Sequence, residues 1–351
     1  MAEHPVPQTT ARQKVCVLNV GPHWGQHGER EIIERAGGEI VMVQSRDRQE
    51  IIAACRDAVA IYGGWMRFDR EFFEALERCK VLVRASIGMD PVDVEAATEK
   101  GIILCNLPDT FHKEVADHTM ALLLACARWI VPLVNSVRQG GWTQRGGARP
   151  GIGAFPRLQG RTLGLLGFGN IAREVAKRAL GFDLQVIAHD PYVDPAVFER
   201  YQVKPVAFAA LLQDSDFLSL HVPLLPETHH IIGDAELSLM KPTAIIVNTC
   251  RGPVIDEAAL IRALQAQRIA AAGLDVTEQE PIAPDNPLLT MPNVIITPHM
   301  ASASDVSLRE RSIRPAQEIA AVLAGHLPRV VYNKAVLQKV DLQPQRVLRA
   351  A

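Results

Sequence analysis

Apolar residues in this chain gather into short continuous runs separated by charged, helix-like segments. KVCVLNV (14–20) reads as a buried strand followed by a helix over about 28–36, and EIVMV (39–43), AVAIYGG (58–64), VLVRAS (81–86) and GIILCN (101–106) continue the series. Runs of strand length spaced by segments such as DREFFEALERC predict parallel strands, buried on both faces and joined by helical crossovers. A single long helix is expected over KEVADHTMALLLACARWIV, with acids in its first turn where the helix dipole favours them. Residues 138–160 are dense in Gly, Pro and Arg and read as an extended connection. A second series follows: RTLGLLGFG (161–169), QVIAHD (185–190), FLSLHVP (217–223), AIIVNTC (244–250), AAAGLDV (270–276) and NVIITPH (293–299). The amphipathic segment SLRERSIRPAQEIAAVLAG (307–325) has no strand after it, so it is expected to return to the first unit. The pattern therefore predicts an α/β protein of two doubly wound parallel-sheet domains, a discontinuous one of residues 1–127 and 301–351 and a second of residues 128–300.

Composition agrees with that picture and narrows the partners. A length of 351 residues exceeds what one core usually reaches. A hydrophobic share of 48% with 22% charged residues is that of a globular protein. The formal charge of -2 gives no electrostatic reason to expect nucleic acid or an anionic membrane as partner. No apolar run approaches the roughly 18 residues that span a bilayer, and MAEHPVPQTTARQK lacks a signal-peptide core, so a cytoplasmic location is the default expectation. The six cysteines are scattered without a C-x-x-C pair, which predicts free thiols and neither a disulfide framework nor a metal site.

The candidate chemistry lies in the second series. LGLLGFGNIAREVAKRAL carries Gly167-x-Gly169-x-x-Ala172 between an apolar strand and a helix. The first Gly permits a tight turn, the second lets a diphosphate approach the backbone, and a small third residue lets helix and strand pack closely. The phosphates would meet free amides at the positive end of the helix, around Phe168, Asn170 and Ile171. A tight turn alone uses the same glycines, but Asp190 stands about 20 residues beyond them, where an acid takes the adenosine ribose hydroxyls. No Arg follows in DPYVDPAVF, which favours NAD over NADP; a helix-capping role for Asp190 is the bland alternative. Because ligands of open parallel sheets sit at the carboxyl ends of strands, Arg251, the acids of AGLDVTEQEP and His299 share one end of the predicted sheet. An Arg fork suits a carboxylate, a His exchanges a proton near neutral pH, and a carboxylate beside that His favours its charged form. Taken singly, each also reads as a surface Arg, a strand-end acid or a satisfied core His.

GLLGFGNIAREVA, HVPLLPETHHIIG, NTCRGPVIDEAAL, GLDVTEQEP and TPHMASAS, in this order, resemble the NAD-dependent D-isomer-specific 2-hydroxyacid dehydrogenases. The resemblance covers roughly residues 58–325 and implies a flavodoxin-like substrate domain beside a Rossmann NAD-binding domain. It implies hydride transfer between NAD(H) and a 2-keto or D-2-hydroxy acid, with His299 as acid/base, Glu280 as its partner and Arg251 binding and polarising the substrate. It places Asp275 near the nicotinamide, and His221, Val222, Pro223, Thr228, Thr249 and Cys250 with the cofactor. VRASIGMDPVDVEAA resembles the family's carboxylate-binding loop, which points to Ile87 and Gly88 with Arg84 nearby, while Asp93 reads as a cap. Glu278 is left to solvent. Trp65 and Met66 in YGGWMRF are candidates for shaping the substrate pocket, or else pack the following helix. Trp142 either reaches a neighbour's active site or sits in the core of the homodimer usual in the family. EVADHT and the last helix also resemble NAD(H)-sensing, dehydrogenase-like corepressors, and oxidation of phosphite on the same scaffold is a further alternative. The sequence does not name the hydroxy acid.

Overall fold

The computed structural model describes residues 12–22, 24–64, 66–142 and 155–344, so Trp65 lies outside the described residues. They form two compact units: one holds the described residues up to Thr110 and those from Ser304 onward, the other runs from Phe111 to Ala303.

The first unit contains strands β1 (Gln13–Leu18), β2 (Gly38–Val43), β3 (Ala60–Gly63), β4 (Val81–Arg84) and β5 (Ile103–Cys105), with helices α1 (Glu29–Arg35), α2 (Arg48–Cys55), α3 (Arg70–Glu74) and α4 (Val94–Glu99) between them. All strand pairs are parallel and the order is β2-β1-β3-β4-β5, the flavodoxin-like winding. Alternate strand residues serve opposite faces. Cys16, Leu18, Ile61 and Leu82 pack with Phe68, Phe72 and Phe73, while Val15, Val17, Ala60 and Val83 pack with Ile33 on the other face. Burial on both faces is why these strands read as unbroken apolar runs.

The second unit opens with α5 (His112–Ala127) and α6 (Ile130–Arg138), then β6 (Thr162–Leu166), α7 (Asn170–Leu180), β7 (Gln185–His189), α8 (Pro195–Arg200), β8 (Lys204–Pro205), α9 (Phe208–Asp214), β9 (Phe217–Leu220), α10 (Asp234–Leu239), β10 (Ile245–Asn248), α11 (Glu257–Gln265), β11 (Ala271–Leu274) and β12 (Val294–Ile296). Its seven-stranded parallel sheet has the order β12-β11-β10-β9-β6-β7-β8. The winding reverses between β6 and β9, the switch point beside which a doubly wound sheet binds its ligand. No single described helix is long and apolar enough to cross a membrane.

Two expectations change. The long helix over KEVADHTMALLLACARWIV is two helices, broken at Trp129, whose φ of 54° is left-handed. Pro132 lacks the N–H that a continuous helix needs and instead occupies the first turn of α6, where no such bond is made. The divide between units falls at Thr110 and Phe111 rather than after residue 127, because the buried face of α5 (Ala116, Met120, Leu123, Ala127) joins the core formed by Ala172, Val175 and Val247 of the second unit.

After the second unit, α12 (Asp305–Leu323) is started by Ser304, whose side chain accepts from the Ser307 amide at 2.9 Å. Its Ala316, Ile319 and Val322 complete the core around Val15 and Val83 of the first unit. Tyr332 donates its amide to Leu104 O and Asn333 accepts from Leu104 N at 2.9 Å, closing the open edge of β5.

Candidate active site

The glycine loop leaves β6 at Gly167, whose φ of 86° and whose hypothetical Cβ, 2.7 Å from the His221 carbonyl, admit no larger residue. Beside Gly169, by contrast, no atom lies within 4 Å of an added Cβ, so the backbone there faces open space. The helix α7 starts directly after it, with no side chain capping its first amides. Ala172, fully buried, brings the helix down onto the sheet. Open backbone, uncapped amides and a helix of 11 residues fit a diphosphate. At the end of β7, Asp190 accepts from Phe168 N at 2.8 Å and from Tyr192 N at 3.0 Å. It therefore fastens the glycine loop, and each oxygen retains a lone pair for a ribose hydroxyl. At the end of β9, His221 bonds Ser219 Oγ at 2.8 Å, and burial pushes its pKa down to about 3, so it is a neutral wall of this site. Val222 is half-buried and Pro223 exposed; Thr228 closes the following turn by donating to Pro223 O at 2.6 Å.

The next three strand ends carry the polar chemistry. Beyond β10, Asn248 ties its own turn, donating to Arg251 O at 2.8 Å and accepting from Cys250 N at 3.0 Å. Thr249 is buried, and burial first of all raises the Cys250 thiol to about 11, so it stays protonated at neutral pH. Half-buried Arg251 donates to Cys250 O at 2.6 Å. Gly252 rests directly on the backbone that follows β11: an added Cβ would stand 2.0 Å from Thr277 O. That close approach sets the Arg251 segment against the segment leading to Glu280.

Glu280 Oε2 and His299 Nδ1 are 2.7 Å apart. Burial opposes the Glu280 charge, but the His299 hydrogen bond and charge, the Thr277 amide and the Arg251 charge outweigh it and hold the carboxyl below its usual range. With a carboxylate accepting at Nδ1, that nitrogen carries a proton, and exchange with a substrate falls to Nε2. Asp275 has a wholly buried side chain. Its Oδ1 accepts from Thr297 Oγ1 at 2.6 Å and Met300 N at 2.9 Å, and its Oδ2 from Ala301 N at 2.9 Å. Expected near the nicotinamide, this carboxylate thus serves the segment that carries His299. Glu278 is exposed, as expected; at the surface it pairs with His230 Nε2 at 2.6 Å and accepts from Glu257 N, so it pins the acidic loop to the start of α11. His118 and Thr119, whose contacts are described below, were not among the residues picked from the sequence; the polar pair HT inside an apolar helix was their only signal.

In the first unit, Arg84 is buried and donates to Gly88 O at 3.0 Å, Ser86 Oγ donates to the same carbonyl at 2.9 Å, and Asn106 Nδ2 to Ile87 O at 2.7 Å. With both carbonyls fixed, the amides of Ile87 and Gly88 have no acceptor among the described residues, as an anion-binding loop requires. Asp93 caps α4 through Ala96 N. Met66 is half-buried against Phe68 and its neighbours, so it packs its own unit's core.

Residues 120–301 match the family model described as D-isomer specific 2-hydroxyacid dehydrogenase, NAD binding domain. A D-3-phosphoglycerate dehydrogenase of Methanocaldococcus jannaschii is 42% identical over 305 residues, which are 86% of this chain and 57% of that protein. A glyoxylate reductase of Korarchaeum cryptofilum is 41% identical over 270 residues, 77% of this chain and 81% of its own length. The chain belongs to the D-isomer-specific 2-hydroxyacid dehydrogenases. Members of this family are NAD-dependent oxidoreductases acting on a CH–OH carbon, and the fold is shared: the solved glyoxylate reductase from Paecilomyes thermophila is similar with a TM-score of 0.82 and 30% identity, covering 92% of this chain and 99% of that one. The chain spans little more than half the length of the phosphoglycerate dehydrogenase it matches. The dehydrogenase has NAD as its cofactor, and the open glycine loop, the α7 amides and Asp190 are the parts of the structure that fit it.

Proposed function

We propose that this dehydrogenase reduces a small 2-keto acid to the D-2-hydroxy acid, reversibly, with His299 as the acid/base. The observation that carries the reading is the Glu280–His299 pair, 2.7 Å apart, beside an Arg251 segment packed directly on Thr277. Bound NADH supplies the hydride. Glu280 holds the Nδ1–H of the imidazole, so in the reducing direction it is the Nε2 proton that passes to the substrate's carbonyl oxygen. Arg251 offers a two-pronged fork to the substrate and stabilises the negative charge that develops on that oxygen. Within the first unit, the amides of Ile87 and Gly88 are proposed to bind an anion such as a carboxylate. Met66 packs its own unit's core, which leaves Trp65, outside the described residues, as the candidate for selecting the substrate side chain.

Steady-state NADH oxidation over glyoxylate, hydroxypyruvate, phosphohydroxypyruvate and longer apolar 2-keto acids tests the reading. At least one acid should be reduced, and His299→Gln should abolish turnover while NADH still binds. Tight NADH binding with no acid reduced would sink the proposal.

A homodimer is proposed on α6, where Ile130, Val131, Val134 and Val137 are all exposed and no residue of the helix is buried. Trp142, four residues after the end of this helix, is 75% exposed. Such a stripe is what a second copy covers in a symmetric pair. All six cysteines are free, which supports the proposal of a reducing, cytoplasmic compartment.

A further inference from the structure

The segment bearing His299 has a problem of its own. His299 adopts φ 52°, a left-handed backbone that disfavours side-chain-bearing residues, so the surroundings must hold it there. Its amide donates to Asp275 O at 2.8 Å, and the next two amides donate to the Asp275 carboxylate. What fixes that carboxylate is the side chain of Thr297, and behind Thr297 stands α5.

The hydroxyl of Thr297 has one proton and gives it to Asp275 Oδ1 at 2.6 Å. The 2.9 Å contact between His118 Nε2 and Thr297 Oγ1 then requires the imidazole to donate. His118 Nε2 also lies 3.5 Å from Asp275 Oδ1, so its proton faces both oxygens. The neighbouring residue does the equivalent on the other segment. Thr119, fully buried, spends its proton on Val115 O at 2.7 Å, so the 2.9 Å contact with Thr249 makes Thr249 the donor. Thr249 stands two residues before Arg251. The helix is seated closely as well: a Cβ on Gly273 of β11 would lie 3.1 Å from Leu122 Cβ and 3.3 Å from Cys126 Sγ.

We propose that His118 and Thr119 are positioning residues: consecutive side chains of one rigid helix that hold the His299 and Arg251 segments at a fixed spacing. His118 acts through Thr297 and Asp275 on the proton donor, and Thr119 acts through Thr249 on the substrate-binding Arg. The proposal rests on the reading of His299 and Arg251 given above. It assigns the two residues different kinetic signatures, because one governs proton transfer and the other substrate orientation.

The full-length protein is compared as wild type, His118→Ala, His118→Gln and Thr119→Val. His118→Ala should lower kcat by about 10- to 100-fold with KM for the keto acid changed less than about threefold, the scale of a misplacement of order 1 Å. His118→Gln places an amide N–H where Nε2 was and should restore most of kcat. Thr119→Val should act mainly on KM. In 15N-histidine spectra, the ring signals of His299, identified by their loss in His299→Gln, should move in His118→Ala and return in His118→Gln. If His118→Ala does not fold, Thr297→Val breaks the same chain isosterically and should show the same loss of kcat and the same movement. Unmoved His299 signals, or a Gln variant as slow as the Ala variant, would overturn the proposal. If wild type reduces no keto acid, the functional reading fails on its own, and the His299 signals still decide whether His118 sets that side chain.

Discussion

Gly252→Ala is the most direct probe of how the site is built. An added Cβ would stand 2.0 Å from Thr277 O, 2.1 Å from Thr277 C and 2.6 Å from Glu278 N. All three are backbone atoms, so no side-chain rotation relieves the clash, and Glu278 N is itself held by Glu257 Oε2 at 3.0 Å. Restoring ordinary van der Waals contact requires the two segments to part by about 1.4 Å. Arg251 is on one segment and Glu280 on the other, so the Arg moves away from the acid/base pair by a comparable distance. A displacement of that size is worth on the order of 100-fold in kcat/KM, or about 2.7 kcal/mol of transition-state stabilisation. Overpacking adds a stability cost of roughly 1–3 kcal/mol, which urea unfolding measures separately. The assay is steady-state NADH oxidation with the best keto acid, alongside an NADH titration by fluorescence. A folded Gly252→Ala protein with kcat/KM within about threefold of wild type would refute the argument that this backbone contact sets the spacing.

Two further perturbations address the cofactor site. Asp190→Arg removes the carboxylate and supplies a cation for a 2′-phosphate, so the ratio of kcat/KM with NADP to that with NAD should rise by at least about 10-fold; an unchanged ratio would leave Asp190 as only the fastener of the glycine loop that its bonds to Phe168 and Tyr192 make it. Burial holds the His221 pKa at about 3 in the folded protein against about 6.5 for a free imidazole, so its contribution is complete above about pH 6.5 and is lost as pH falls toward 3, because only the unfolded chain takes up the proton. Between about pH 7 and 5 this one residue should cost about 2 kcal/mol, and His221→Gln should flatten the wild-type urea-unfolding stability curve by that amount; parallel curves for the two proteins would show that the imidazole titrates normally.

How much of this was legible depended on whether local pattern or distant packing decided each feature. The parallel sheets were legible because strands buried on both faces have no polar side, and Val15 to Leu18 or Ile245 to Asn248 show it directly. The Gly167 turn, the strand-end placement of Arg251 and the pairing of Glu280 with His299 were legible because residue type at strand ends is not forced by the core. The break at Trp129 was not, since nothing in the apolar run 119–131 announces a left-handed residue. Nor was the membership of α5 in the second unit, which rests on contacts with Val175 and Val247, far along the chain. Glu278 is exposed as expected, but its surface partner was not legible, because His230 comes from the loop after β9.

The three acids after β11 show what burial decides and spacing does not. Asp275 is the most deeply buried, and a carboxylate out of water needs several donors to stay charged. It finds three in Thr297, Met300 and Ala301, all on the segment that carries His299. Glu278 is answered by His230 and the Glu257 amide. Glu280 is set on the imidazole of His299 at a strand end, half-exposed, with the Arg251 charge near enough to lower its pKa. What separates it from Glu278, which is about as exposed on its own imidazole, is the neighbouring Arg251 segment. Full burial commits a carboxylate to structure, as at Asp275, and full exposure screens it from the neighbour it has to influence. Asp275 is thus the support of the His299 segment and Glu280 the proposed partner in chemistry, and the support depends in turn on the Thr297 hydroxyl, to which His118 of α5 donates.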